Sequence, residues 1–134
     1  MKINPGYYEY AKKLSVLGDR IIVISNKFTD MKLDTPEKIQ IHYDNCLSAI
    51  TEYKELKLAI MLTVVPKIVE KEHEELIEGY QIYTSGTDLM FNAIDIGKRT
   101  IDMAMTIKGF ALQEKGKNMI VEIAKRIGDK LLGE

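Results

Sequence analysis

The stretch VEKEHEELIEGYQIYTSGTDLMFNAI, residues 69–94, carries the cleanest period in the chain. Val69, His73, Leu76, Tyr80, Tyr83, Thr87, Met90 and Ile94 recur at intervals of three and four, which is one face of an α-helix and not the alternation of a strand. Glu70, Glu72, Glu74, Glu75 and Glu78 crowd its first half, where the positive end of a helix dipole accommodates them. Gly97 stands where a glycine ends such a helix. The weak point is Tyr83-Thr84-Ser85-Gly86-Thr87, a run of poor helix formers in mid-segment. Small residues where another helix crosses closely are the preferred explanation. The sharper one is a local opening whose hydroxyls face a ligand.

The same period extends outward in both directions. Upstream, Tyr7, Tyr10, Leu14, Leu17, Ile21, Ile24 and Phe28 form one apolar stripe, opened by Asn4 as a cap and Pro5 in the first turn. The pattern fades through Thr29–Leu33, a loop. Asp34-Thr35-Pro36-Glu37 then starts a second helix with a capping hydroxyl, an early proline and an acid. Ile39, Tyr43, Cys46, Ile50, Tyr53 and Ile60 line its face, and the residue before Pro66 is pushed out of helical geometry. Downstream, a fourth segment runs from about Lys98 to Leu132. Ile101, Ala104, Met105, Ala111 and Leu112 suit one phase, whereas Ile120, Ile123, Ile127 and Leu131 suit another. A kink near Gly116 is the favoured account; two shorter helices would also serve. Four long segments with short connections predict an all-α fold, an antiparallel up-down-up-down four-helix bundle forming a single domain over residues 1–134.

Composition narrows the function classes. The 134 residues carry 19 basic and 20 acidic side chains of interspersed sign, so no electrostatic footprint for nucleic acid or an anionic membrane is visible. The longest apolar run, Ala59–Val65, falls far short of the roughly 20 residues that span a bilayer. The opening MKINPGYYEYAKKL has neither an apolar core nor a cleavage site of the secretory kind, so the chain as it stands reads as soluble and cytoplasmic. Cys46, alone and on an apolar stripe, is expected to pack as a small hydrophobe.

Glu70 and His73 have the Glu-x-x-His spacing of carboxylate-bridged metal centres. Such a centre needs two copies, and the second histidine, His42, has Ile39 at the required carboxylate position. In a bundle the two histidines fall near opposite ends, on the order of 25 Å apart by the helical rise. No metal and no other cofactor is expected. No serine has a histidine near it, and the glycines lie singly, without the grouping of a phosphate loop. An enzyme is therefore not expected. Tyr43, Tyr53, Tyr80 and Tyr83 on the central stripes allow a partly polar cavity, although hydroxyls reaching solvent from the stripe edge are the preferred reading.

Apolar residues also fall off the stripes, notably Met61, Leu62 and Val64 at the junction of the second and third segments. Such a surplus thickens a core or forms a contact surface. The expectation is a non-enzymatic interaction module that meets a protein partner or itself, as in a homodimer, through Met61, Leu62 and Val64. The alternative is a bundle binding a small molecule or metal, with Glu70, His73, Tyr80 and Tyr83 at the site.

Pro66 opening a helix, His73, Gly79-x-x-x-Tyr83, Asp88-Leu89-Met90, Ala93-Ile94-Asp95 and a following helix with a central glycine form one further pattern. Over about residues 39–112 it resembles a family of small helical-bundle domains of Bacillus-group and related Gram-positive bacteria. Many members of that family are predicted lipoproteins of unknown function. The resemblance implies a helical bundle held outside the membrane, without catalytic residues to carry across. Extracytoplasmic placement would require a signal segment and a lipid-bearing cysteine, which the start of this chain lacks.

Overall fold

The computed structural model describes residues 4–29 and 32–133. Its helices are α1 (Pro5–Asn26), α2 (Pro36–Met61), α3 (Glu70–Asn92) and α4 (Met103–Gly133). A single 3-10 turn, Lys67–Val69, precedes α3, and the two-residue strands β1 (Ile94–Asp95) and β2 (Thr100–Ile101) separate α3 from α4. The fold is all-α. Among the described residues no helix is long and apolar enough to cross a membrane.

The starts of α1 and α2 follow from local chemistry. The Asn4 side chain accepts from the Gly6 and Tyr7 amides at 2.8 and 3.4 Å, and the Thr35 hydroxyl accepts from the Lys38 amide at 3.2 Å. Each cap satisfies amides that the helix itself leaves unpaired. Proline follows each cap, where a missing amide costs nothing.

The start of α4 departs from expectation. The helix begins at Met103, not near Lys98, because residues 94–101 form an antiparallel hairpin pairing Ile94 with Ile101 and Asp95 with Thr100. Asp95 accepts from the Lys98 amide at 3.1 Å across the tip, and Arg99 takes a left-handed φ of 51°. Gly97 belongs to this turn, so α3 ends at Asn92 without it. Asp102 caps α4 by accepting from the Met105 amide at 3.0 Å.

The apparent phase change in α4 also has a different origin. Its buried positions are Thr106, Gly109, Gln113, Gly116, Ile120, Ile123, Ile127 and Leu131, one stripe at helical spacing across Gly116. The first half of that stripe is small and polar. Ala104 and Ala111, which suggested another phase, are exposed. One continuous helix, Met103–Gly133, replaces the alternative of two shorter helices.

Those small residues are where α3 and α4 meet. A Cβ placed on Gly86 would stand 2.5 Å from both the Gln113 nitrogen and the Gly109 carbonyl oxygen. One on Gly109 would stand 2.7 Å from the Gly86 oxygen, and one on Gly116 would run into the main chain of Tyr83 and lie 2.7 Å from the Gly79 oxygen. Backbone faces backbone along this seam, and only glycine permits that approach. Gly79 and Gly86 are seven residues apart, as are Gly109 and Gly116, so the contact recurs after two turns.

The other helices dock on this pair. Tyr10, Leu14, Leu17, Ile21 and Ile24 of α1 and Cys46, Ala49, Tyr53 and Ile60 of α2 share one apolar core with Leu76, Tyr83, Ile120 and Ile127. Between α1 and α2 lies a cleft of about 420 Å³.

Gly86→Ala is expected to lose about 1–3 kcal/mol, since the helices must separate to admit the methyl. Gly128→Ala, with nothing within 4 Å of the added atom, should gain about 0.5–1 kcal/mol through helix propensity. Urea unfolding of the two variants checks the opposite signs.

Candidate functional site

Three groups of polar side chains and one exposed apolar patch carry whatever chemistry the fold has. The first group lies at the centre. The Tyr83 hydroxyl sits 2.7 Å from Ser25 Oγ of α1 and donates to the Ile21 carbonyl at 3.3 Å. The Tyr53 hydroxyl of α2 sits 3.0 Å from Thr87 Oγ1, which accepts from Gln113 Nε2 of α4 at 2.9 Å. Tyr80 donates to the Tyr53 carbonyl oxygen at 2.5 Å. Edge-to-face contacts join Tyr53 to both Tyr80 and Tyr83. All four helices contribute to this buried polar seam.

The finding corrects the preferred expectation for the tyrosines. Tyr53, Tyr80 and Tyr83 are buried, and their hydroxyls bond inside the bundle instead of reaching solvent. Burial raises all three phenols above their ordinary range, so they act as neutral hydrogen-bonding groups. Gln113 Oε1 lacks a partner among the described residues although its side chain is fully buried. Thr84–Thr87 follows the preferred account: Gly86 meets α4, while the Thr87 hydroxyl serves the seam.

The second group joins α1, α3 and α4 near the start of α3. The Tyr10 hydroxyl lies 2.8 Å from His73 Nδ1. Beside them Glu72 Oε1 accepts from Lys130 Nζ at 2.5 Å, and Glu72 Oε2 is buried without a partner among the described residues. The Lys130 hydrogen bond holds the Glu72 carboxyl below the usual carboxylate range. Arg126 donates to Glu75 at 2.6 Å on the same side. Glu70, which only the alternative reading set beside His73, is exposed. Among the described residues no three His, Cys, Asp or Glu side chains gather in a way that could hold a metal ion.

His42, in the third group, packs edge-on against Phe28 and lies 3.9 Å from Cys46 Sγ. Burial pushes the Cys46 thiol up to about 12, which leaves it protonated and inert as a nucleophile. The two histidines occupy separate environments. Nor do Glu70, His73, Tyr80 and Tyr83 converge: His73 lines the α1–α2 cleft, Tyr80 lines a different one between α2 and α3, and Tyr83 is enclosed.

The surface residues singled out in the sequence are open to solvent. Met61, Leu62 and Val64 are 65%, 78% and 86% exposed, and Leu58, one helical turn before Leu62, is 60% exposed. They form an apolar cap where α2 ends.

Gln113, Ser25, Thr87 and Glu72 were not among the expected site residues. The matched seven-residue glycine spacings in segments three and four were the available signal, since they place Gln113 between two close contacts. Comparison with family models, curated proteins and solved structures finds no match for this chain.

Burial lowers the affinity of both imidazoles for a proton, in His73 partly offset by Glu74. As pH falls through about 6.5 the unfolded chain gains protons that the folded chain resists, so stability should fall as the pH drops below about 6.5. Urea unfolding against pH is expected to give a flatter profile for the His42→Gln/His73→Gln double variant. In the centre, Gln113→Leu should be close to neutral because it removes an orphaned oxygen, while Tyr53→Phe should cost about 1 kcal/mol.

Proposed function

We propose that this chain is an up-down-up-down antiparallel bundle and a non-enzymatic interaction module that pairs with a second copy of itself. The order of contacts supports the topology. Arg20 of α1 pairs with Glu52 of α2 and Phe28 meets His42, so rising numbers on one helix meet falling numbers on the other. The same holds for Gly79 with Met119, Tyr83 with Gly116 and Gly86 with Gln113 across α3 and α4.

The observation that carries the functional reading is the exposure of Leu58, Met61, Leu62 and Val64 together. Leu58, Met61 and Leu62 lie at i, i+3 and i+4, one face of the helix end, and Val64 lies just past that end. Four large apolar side chains left in water on one patch are costly to the monomer and are covered when two such surfaces meet. Two-fold pairing is the simplest way to use one patch twice. Apart from Gln113 Oε1 and Glu72 Oε2, the buried side-chain polar groups among the described residues have partners, and the two imidazoles contact Tyr10 and Phe28 in separate packing environments. Both points favour a surface-based role over a catalytic one.

Sedimentation velocity across a concentration series tests the proposal. Wild-type protein is expected to populate a dimer, and Met61→Glu/Leu62→Glu to remain monomeric with stability within about 0.5 kcal/mol of wild type. A wild-type chain that stays monomeric at high concentration rejects self-association. Unfolding of the double variant would instead assign the two residues to the core.

A further inference from the structure

The cleft between α1 and α2 has a direction. Its walls are apolar, with Leu14 and Leu17 on α1 facing Leu56 and Ile60 on α2. One turn beyond Leu17 and Leu56, the Arg20–Glu52 ion pair ties the two helices together across the far end. The near end is polar: Lys12 and Lys13 stand at the rim, and the His73 ring lines the cleft. His73 Nδ1 is taken by Tyr10, whereas Nε2 has no partner among the described residues. Neither lysine pairs with a carboxylate among the described residues, and Glu9 is the acid that shares their rim.

We propose that this cleft binds a fatty acid, its chain between α1 and α2 and its carboxylate at Lys12, Lys13 and His73. Charge complementarity selects the occupant. Among the lining residues two lysines stand against one glutamate, with Glu74 acting on His73 from outside the lining, and the lysine side of the rim favours an anionic head over a neutral or cationic one. The volume of about 420 Å³ lies within the range of small-ligand sites. At about 30 Å³ per water-sized group it holds roughly a dozen methylenes. Val16 and Leu62, half and three-quarters exposed on its lips, would lose water contact when a chain lies between them. The proposal does not depend on dimerisation.

Isothermal titration of the full chain with dodecanoate, below its micelle concentration, provides the test. The expected result is one dodecanoate per chain, with affinity rising about fourfold per methylene from octanoate upward. Dodecyltrimethylammonium should bind at least tenfold more weakly. Lys12→Glu/Lys13→Glu should weaken dodecanoate at least tenfold. Ala59→Trp, placing an indole in the cleft from a largely exposed position, should abolish binding without lowering the urea midpoint. Equal affinity for the cationic amphiphile, several molecules per chain, or binding unchanged by the lysine substitutions would overturn the proposal as adsorption to an apolar surface. Met61→Glu, outside the cleft, separates the two readings. Binding retained when the dimer is lost supports the fatty-acid site alone. Binding lost with the dimer overturns it, because the ligand would then sit between copies.

Discussion

The close approach of α3 and α4 is the constraint on which the remaining packing depends. Gly86, Gly109 and Gly116 bring main chain against main chain, at separations that leave no room for a single methyl group. A seam of this kind aligns the helices in depth as well as in register, because each glycine faces a particular peptide group and not a deformable side chain. The ten-residue connection containing β1 and β2 fits the same requirement. Its Asp102 amide donates to the Ala93 carbonyl at 2.9 Å, joining the end of α3 to the cap of α4.

Once that pair is fixed, the polar interior follows. Tyr83 and Thr87 flank Gly86 and project toward α1 and α2, while Gln113 lies across the seam. Hydroxyls buried in this position must find partners or cost a few kcal/mol each in lost hydration. Ser25 and Tyr53 supply those partners from the other two helices. The buried network therefore selects how α1 and α2 dock, which aliphatic packing alone leaves less determined. Tyr10–His73 and Glu72–Lys130 act in the same way nearer the end of the bundle.

The helices docked later leave the surfaces that a ligand or partner can use. α1 and α2 are bridged by Arg20–Glu52 and by the Phe28–His42 contact, and between Leu17 and Thr63 they stand apart. The apolar end of α2 continues past that opening into Leu62 and Val64. One tight helix pair and one loosely joined pair leave the cleft and the apolar end of α2 on the loosely joined pair. Function is thus proposed for the part of the fold that the glycine seam does not hold.

Helix content, the caps at Asn4 and Thr35, and the stripes of α1, α2 and α3 were legible because local periodicity and capping chemistry act over a few residues. The exposure of Met61, Leu62 and Val64 was legible for the same reason, since they lie off the helical stripe. The buried face of α4 was obscured by its own composition: Gly109, Gln113 and Gly116 look like solvent positions until another backbone is laid against them. Residues 94–101 were equally obscure, because a hairpin this short depends on the helices it joins. The tyrosine partners and the pairing of His73 with Tyr10 join residues 27 to 63 positions apart, separations that no local pattern reports. The sequence by itself determined where helices form and which faces repel water. Only the tertiary structure decided which polar groups lie inside, because burial of a hydroxyl or an amide is set by the partner that another helix brings to it.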